Sequence, residues 1–224
     1  PSLVGSEMCI RDSFPFLGVR LGKVAGIPAR IFRISFSGEI SYEINVPADY
    51  GESLWQSLIE AGKPEQIAPY GVESMGVLRL EKGHWVIGRE SDGRTNPYDI
   101  GLGRMVSSKK WFIGREALDL PAMSEPNRRQ LVGVLAKNSE ERLPYSSHLV
   151  SDKDPDRVGR SQGWITSLAY SPILGHDVAL ALLENGHDRI GEKLVASAPI
   201  ANQQVGVQIV SPHFFDPEGN RQYA

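Results

Sequence analysis

Beyond Pro121–Asn127 the chain offers only short apolar runs, and this constrains its fold more than any other feature. Leu131 to Leu135, His148 to Val150, Gly163 to Ser167, Val178 to Leu183 and Gln204 to Val210 are each too short for an independent helix, and clusters of Gly, Pro, Asn and Asp separate them. Segments of that length bury an apolar face only by pairing with one another. Short strands punctuated by turn residues predict a small antiparallel barrel or sandwich.

The preceding half follows other periods. Phe32, Ile34 and Phe36 alternate with polar residues, as do Ile40, Tyr42, Ile44 and Val46, so two antiparallel strands are expected around Ser37-Gly38-Glu39. Arg33 and Glu43 would form a cross-strand pair. Asp49 is expected to cap a helix starting near Tyr50, with Leu54, Trp55, Leu58, Ile59 and Ala61 on its apolar face and Gly62 and Pro64 closing it. A second helix follows Pro69-Tyr70-Gly71 and ends at Gly83. Trp111 to Leu118 reads as a strand end entering a short helix. The non-periodic, Pro-containing stretch Pro121–Asn127 divides an α+β region, 14–125, from the strand-rich region, 126–224. Pro1 to Ser13 obey neither period and resemble a translated sequencing-adapter segment, so 1–13 is set aside as a non-native leader.

The second helix carries an electrostatic anomaly. Glu81 lies in its last turn, where the aligned peptide dipoles leave partial negative charge, and an anionic side chain there needs an answering cation or donor. Lys82 and solvent are one answer. A ligand presenting paired N–H donors is the other.

Composition narrows the chemistry. With 24 Lys and Arg against 27 Asp and Glu, and no basic run, the chain lacks the electrostatic footprint of a nucleic-acid or membrane-surface binder. The single cysteine, Cys9, cannot form an internal disulfide, and no apolar run is long enough to cross a bilayer, so a cytoplasmic setting is expected. The histidines His84, His148, His176, His187 and His213 are scattered without ligand spacing, and no metal site is expected. Gly159-Arg160-Ser161-Gln162-Gly163 matches G-x-S-x-G, but a charged loop precedes it and a strand follows, the reverse of a nucleophile elbow. Gly101-Leu102-Gly103 lacks the third glycine of a dinucleotide fingerprint.

Three segments in order carry a resemblance: Arg33 to Glu43, then Leu78-Arg79-Leu80-Glu81-Lys82-Gly83, then Phe112 to Leu118. Together they resemble the aminomethyltransferase (glycine-cleavage T-protein) family. Ala25 to Arg33, Val46 to Gly51 and Phe215 to Gly219 are similar, within that family, to the C-terminal folate-binding region of heterotetrameric sarcosine oxidase alpha subunits.

The resemblance implies a partial folate-binding, aminomethyltransferase-like cloverleaf with a C-terminal antiparallel β-barrel. It implies tetrahydrofolate as cofactor, with Glu81 of the R-L-E segment gripping the pterin, whose 2-amino group and N3–H present parallel donors to a carboxylate. Lys110 and Arg115 are candidate partners for the anionic benzoyl-glutamate tail. The activity implied is oxidative demethylation of sarcosine with one-carbon transfer to the folate. Flavin and NAD are then expected only in other parts of the assembly, and the beta, gamma and delta subunits as partners. The family's catalytic aspartate lies upstream of the hairpin, and no matching segment is found before Phe14, so no catalytic residue is assigned and this piece alone is expected to be inactive. A glycine-cleavage aminomethyltransferase or a non-catalytic folate-binding module are the other readings.

Overall fold

The computed structural model describes residues 14–156 and 158–223, so the expected leader lies outside the described residues. The chain divides into two compact units, residues 14–78 with 218–223, and Arg79–Pro217. That division differs from the one read along the sequence at 125/126, because the loops after Gly83 fold onto the strands beyond Arg128.

The first unit contains an antiparallel sheet of β1 (Val19–Val24), β2 (Ile27–Phe32) and β3 (Glu43–Asn45), in that order. Ala25 and Gly26, with φ of 49° and 81°, close the two-residue hairpin that pairs Val24 with Ile27. Positive φ at both central residues is what such a tight turn requires. β2 and β3 do pair, with Phe32 opposite Glu43, but β2 ends at Phe32, where the first expected strand begins, β3 covers only Glu43–Asn45 of the second, and residues 33–42 connect them. The Ser35 and Ser37 hydroxyls accept the Gly38 and Glu39 N–H groups at 2.9 and 3.4 Å, offering the backbone local partners in place of a ladder. Arg33 therefore lies past the strand end, where its Nη1 donates to Phe14 O at 2.6 Å.

The helix α1 (Gly51–Gly62) forms where expected, without the Asp49 cap. Asp49 belongs instead to a 3-10 turn, Ala48–Tyr50, that leads into the helix. Of the predicted apolar face Leu54 is buried, whereas Trp55 is exposed. The next helix, α2 (Val72–Lys82), ends as the sequence indicates, and its last turn belongs to the second unit.

The second unit is built on a closed antiparallel barrel, which decides between the barrel and sandwich expectations. Its strands are β4 (Arg129–Ala136), β5 (His148–Val150), β6 (Gly163–Ser171), β7 (His176–Glu184), β8 (Lys193–Ala198) and β9 (Gln203–Val210), in the spatial order β4-β7-β6-β5-β8-β9. β8 is the barrel strand that sequence periodicity misses, as β1 is in the first unit. Its buried residues include Ala196, Ser197 and Ala198, whose small side chains give little hydrophobic contrast.

Val132, Val134, Ala179, Ala181, Leu183, Val207 and Ile209 contribute to the central core. The alternate residues Leu131, Val178 and Leu180 form a second cluster with Leu80, against which Trp85, Ile100 and Phe214 pack. β7 is thus buried on both faces, which is why it reads as the near-continuous apolar run Val178 to Leu183 rather than as an alternation. The expected strand end at Trp111 to Leu118 does not form. That segment consists of turns and a 3-10 stretch, Glu116–Asp119, pairs with no strand among the described residues, and leaves Trp111 and Ile113 exposed.

Candidate functional site

The site grows from the C-terminal turn of α2. His84 N donates to Arg79 O at 2.8 Å and Gly83 N to Leu80 O at 3.0 Å, the paired bonds of a Schellman end, with Gly83 left-handed at φ 79°. Glycine is needed there for a second reason. A Cβ on Gly83 would lie 2.3 Å from Pro212 O, because the segment after β9 presses against the helix end.

That segment satisfies the helix carbonyls. Phe214 N and Phe215 N donate to Glu81 O at 3.0 and 2.9 Å, and His213 Nδ1 lies 3.0 Å from Lys82 O. Lys82 Nζ reaches the Asp216 carbonyl and, at 3.2 Å, Asp216 Oδ2, in an ion pair whose side chains are both at least nine-tenths buried. Lys82 consequently answers Asp216 and the helix end. Glu81 is answered differently.

Glu81 is only 5% exposed, so bulk solvent reaches little of it. Ser171 Oγ, at the end of β6, donates to Glu81 Oε1 at 2.6 Å. Oε2 has no hydrogen-bond donor among the described residues. An ionised carboxylate offers roughly four acceptor positions, of which Ser171 uses one. The arrangement leaves acceptor capacity for a ligand's N–H groups.

Two residues earlier, Arg79 enters a buried network. Its Nη1 lies 3.3 Å from Glu90 Oε2, and its Nη2 donates to Ser167 Oγ at 2.7 Å. Glu90, fully buried, also accepts Val86 N and Thr166 Oγ1, each at 2.8 Å, and the Ser167 hydroxyl. A register shift in β6 between Ile165 and Ser167 makes this possible, since it turns Thr166 and Ser167 toward the same carboxylate. Burial pushes the Arg79 guanidinium below its ordinary value, while Glu90 pulls it back up. Arg79 is therefore a structural anchor. It ties the turn that bears Glu81 to the barrel wall.

Lys110 and Arg115 lie on exposed turns. Arg115 Nη1 stands 3.5 Å from the main-chain carbonyls of Ser107 and Lys110. Among the described residues no hydrogen bond or ion pair joins either of them to Glu81. Ser161 of the G-x-S-x-G sequence donates to Gly163 O at 2.7 Å and contacts His148 Nδ1 at 3.0 Å, an arrangement that closes a loop onto β6. Among the described residues no cluster of His, Cys, Asp and Glu could hold a metal ion, and no helix is long and apolar enough to cross a membrane.

Sequence reasoning missed Ser167, Ser171 and Glu90. Glu90 stands in the polar stretch Gly88 to Gly93, where a carboxylate reads as solvated, and neither serine carries a local signal.

The family is decided by two domain models matching in succession. Residues 2–110 match the GCVT N-terminal domain, and residues 129–216 match the glycine cleavage T-protein C-terminal barrel domain. The chain belongs to the glycine cleavage T-protein family. Among similar members of this family, the sarcosine oxidase subunit alpha of Rhizobium meliloti (strain 1021) is 41% identical over 212 residues, covering 93% of this chain and 21% of that protein. The subunit alpha of Corynebacterium sp. (strain P-1) is 40% identical over 213 residues, 94% of this chain and 22% of that protein. An aminomethyltransferase of Streptomyces avermitilis is 41% identical over 172 residues, 74% of this chain and 44% of that protein. The chain thus spans about a fifth of the length of the sarcosine oxidase subunits it matches. The T-protein fold is shared with the crystal structure of glycine cleavage system aminomethyltransferase T from Bartonella henselae, at a TM-score of 0.75 and 19% identity over 92% of this chain and 54% of that one.

Proposed function

We propose that this chain is the tetrahydrofolate-binding region of a sarcosine oxidase alpha subunit, with Glu81 accepting the N–H donors of the pterin. The observation that carries the proposal is the state of Glu81. It is a buried carboxylate at a helix C-terminus, where helix electrostatics disfavour it, with Oε1 engaged by Ser171 and Oε2 open to further donors. Oε2 is not sealed from solvent, so a ligand's donors can reach it.

Tetrahydrofolate, when bound, supplies the amine that accepts a one-carbon unit. The contribution of this chain is to hold and orient that carrier. Lys110 and Arg115, both exposed, are proposed to meet the anionic benzoyl-glutamate tail, where charge-assisted bonds form at little desolvation cost. The substrate on this reading is sarcosine, with flavin and NAD held elsewhere in a cytoplasmic assembly that includes beta, gamma and delta subunits.

The test is titration of tetrahydrofolate into the intact protein and its Glu81→Gln variant. The amide turns one acceptor into a donor facing donors, so affinity should fall by on the order of 2 kcal/mol or more. Unchanged affinity rejects Glu81 as the folate ligand. The 41% identity to a Streptomyces avermitilis aminomethyltransferase favours a second reading, in which the same site serves glycine cleavage. Peroxide release on addition of sarcosine to the full-length protein assembled with its partner subunits separates the two. Folate binding with neither peroxide release nor transferase activity would leave a non-catalytic folate-binding module.

A further inference from the structure

Ser171 closes the β6–β7 turn. Its hydroxyl oxygen accepts Leu174 N–H at 3.1 Å, and its carbonyl accepts Gly175 N–H at 2.9 Å. With a lone pair committed to the turn, the hydroxyl hydrogen is directed away from it, and Glu81 Oε1 stands 2.6 Å from the serine oxygen. Ser171 is completely buried, so bulk water does not compete for that bond.

Glu81 is also fixed at its main chain, where the carbonyl accepts both Phe214 N and Phe215 N. A glutamate side chain has enough rotatable bonds to sweep its carboxylate through many orientations. Here one end is pinned by the segment after β9 and one oxygen by the end of β6, which leaves the direction of Oε2 determined. Recognition of two parallel donors depends on that direction, because an acceptor turned away loses angular overlap with the donor.

We propose that Ser171 is a positioning residue for ligand recognition, holding Oε1 so that the remaining lone pairs of both carboxylate oxygens face the paired N–H donors of a pterin. The inference rests on the folate reading of Glu81. Ser171 touches no ligand on this account and acts only through the carboxylate.

The test is a set of tetrahydrofolate titrations on the intact protein and its Ser171→Ala, Ser171→Cys, Glu81→Gln and Ser171→Ala/Glu81→Gln variants, with circular dichroism to establish folding. Ser171→Ala should weaken binding about tenfold or more, the scale of losing a hydrogen bond to a charged group. Ser171→Cys, close in size with a weaker donor, should fall between the two, and it carries the test if the alanine variant does not fold. The double variant should bind no more weakly than Glu81→Gln alone, since residues acting through one group are not additive. Unchanged binding in a folded serine variant, or additive losses in the double variant, would overturn the role of Ser171 while the folate reading stands. Unchanged binding in Glu81→Gln would overturn both.

Discussion

Arg79 and Glu90 form a buried ion pair, Nη1 to Oε2 3.3 Å, with side chains 4% and 0% exposed. The pair spans the loop that leaves α2, and both members continue into hydroxyls of β6, so the helix end that carries Glu81 is tied to the barrel by charge as well as by the Leu80 contacts. Removing one member strands the other without water. Glu90→Ala should therefore destabilise the protein by about 3–5 kcal/mol, and replacing both Arg79 and Glu90 by leucine should cost less than Glu90→Ala alone. Urea unfolding of the three proteins checks the order, and a double variant less stable than Glu90→Ala would refute it.

Gly83→Ala combines two penalties. The left-handed backbone costs a residue with a Cβ about 1–2 kcal/mol, and the added carbon would stand 2.3 Å from Pro212 O. Gly88→Ala provides the comparison, since Gly88 has φ 86° but open space around its Cβ position. Thermal melts should show a markedly larger loss for Gly83→Ala. Equal losses would mean that the close approach of the Pro212 segment contributes nothing.

Leu80→Ala removes a side chain 1% exposed from the cluster of Leu131, Val178 and Leu180. A loss of about 2–4 kcal/mol is expected on denaturant unfolding, from lost transfer energy and the cavity left behind. A change below about 1 kcal/mol would indicate that the helix end repacks freely.

Glu192 gives a pH signature. Arg189 Nε and Nη2 donate to its two oxygens at 2.6 and 2.8 Å, and these bonds, ahead of a smaller opposing effect of burial, hold its carboxyl below the ordinary glutamate value. Because the folded value is the lower one, the stabilisation is present above the unfolded value and is lost as pH falls through the folded one. The Glu192 side chain is 41% exposed, so the contribution to stability is small. In an NMR titration the Glu192 carboxyl should titrate below ordinary glutamates and return toward them in Arg189→Leu.

The barrel was legible because its strands are bounded by turn residues and most have strong apolar contrast; β8, built on Ala and Ser, had too little. The converse error occurred at Trp111 to Leu118, where apolar composition suggested a strand end but no strand among the described residues pairs with it. At α1 the period was right and the burial only partly so, since a helical stripe says which residues share a face and not how much lies against that face. Asp49 had the chemistry of a cap, yet the chain placed it in a preceding 3-10 turn.

The sequence alone determined the end of α2, the place of a carboxylate in its final turn and the electrostatic demand that carboxylate makes, because helix period, glycine conformation and peptide dipoles are local properties. Only the tertiary structure decided how the demand is met. Ser171 stands ninety positions from Glu81, and Glu90 and Asp216 take the neighbouring cations Arg79 and Lys82 through contacts that depend on a strand bulge and on the chain returning after β9. Pairings of this kind follow from which surfaces the closed barrel brings together, and no local spacing encodes them.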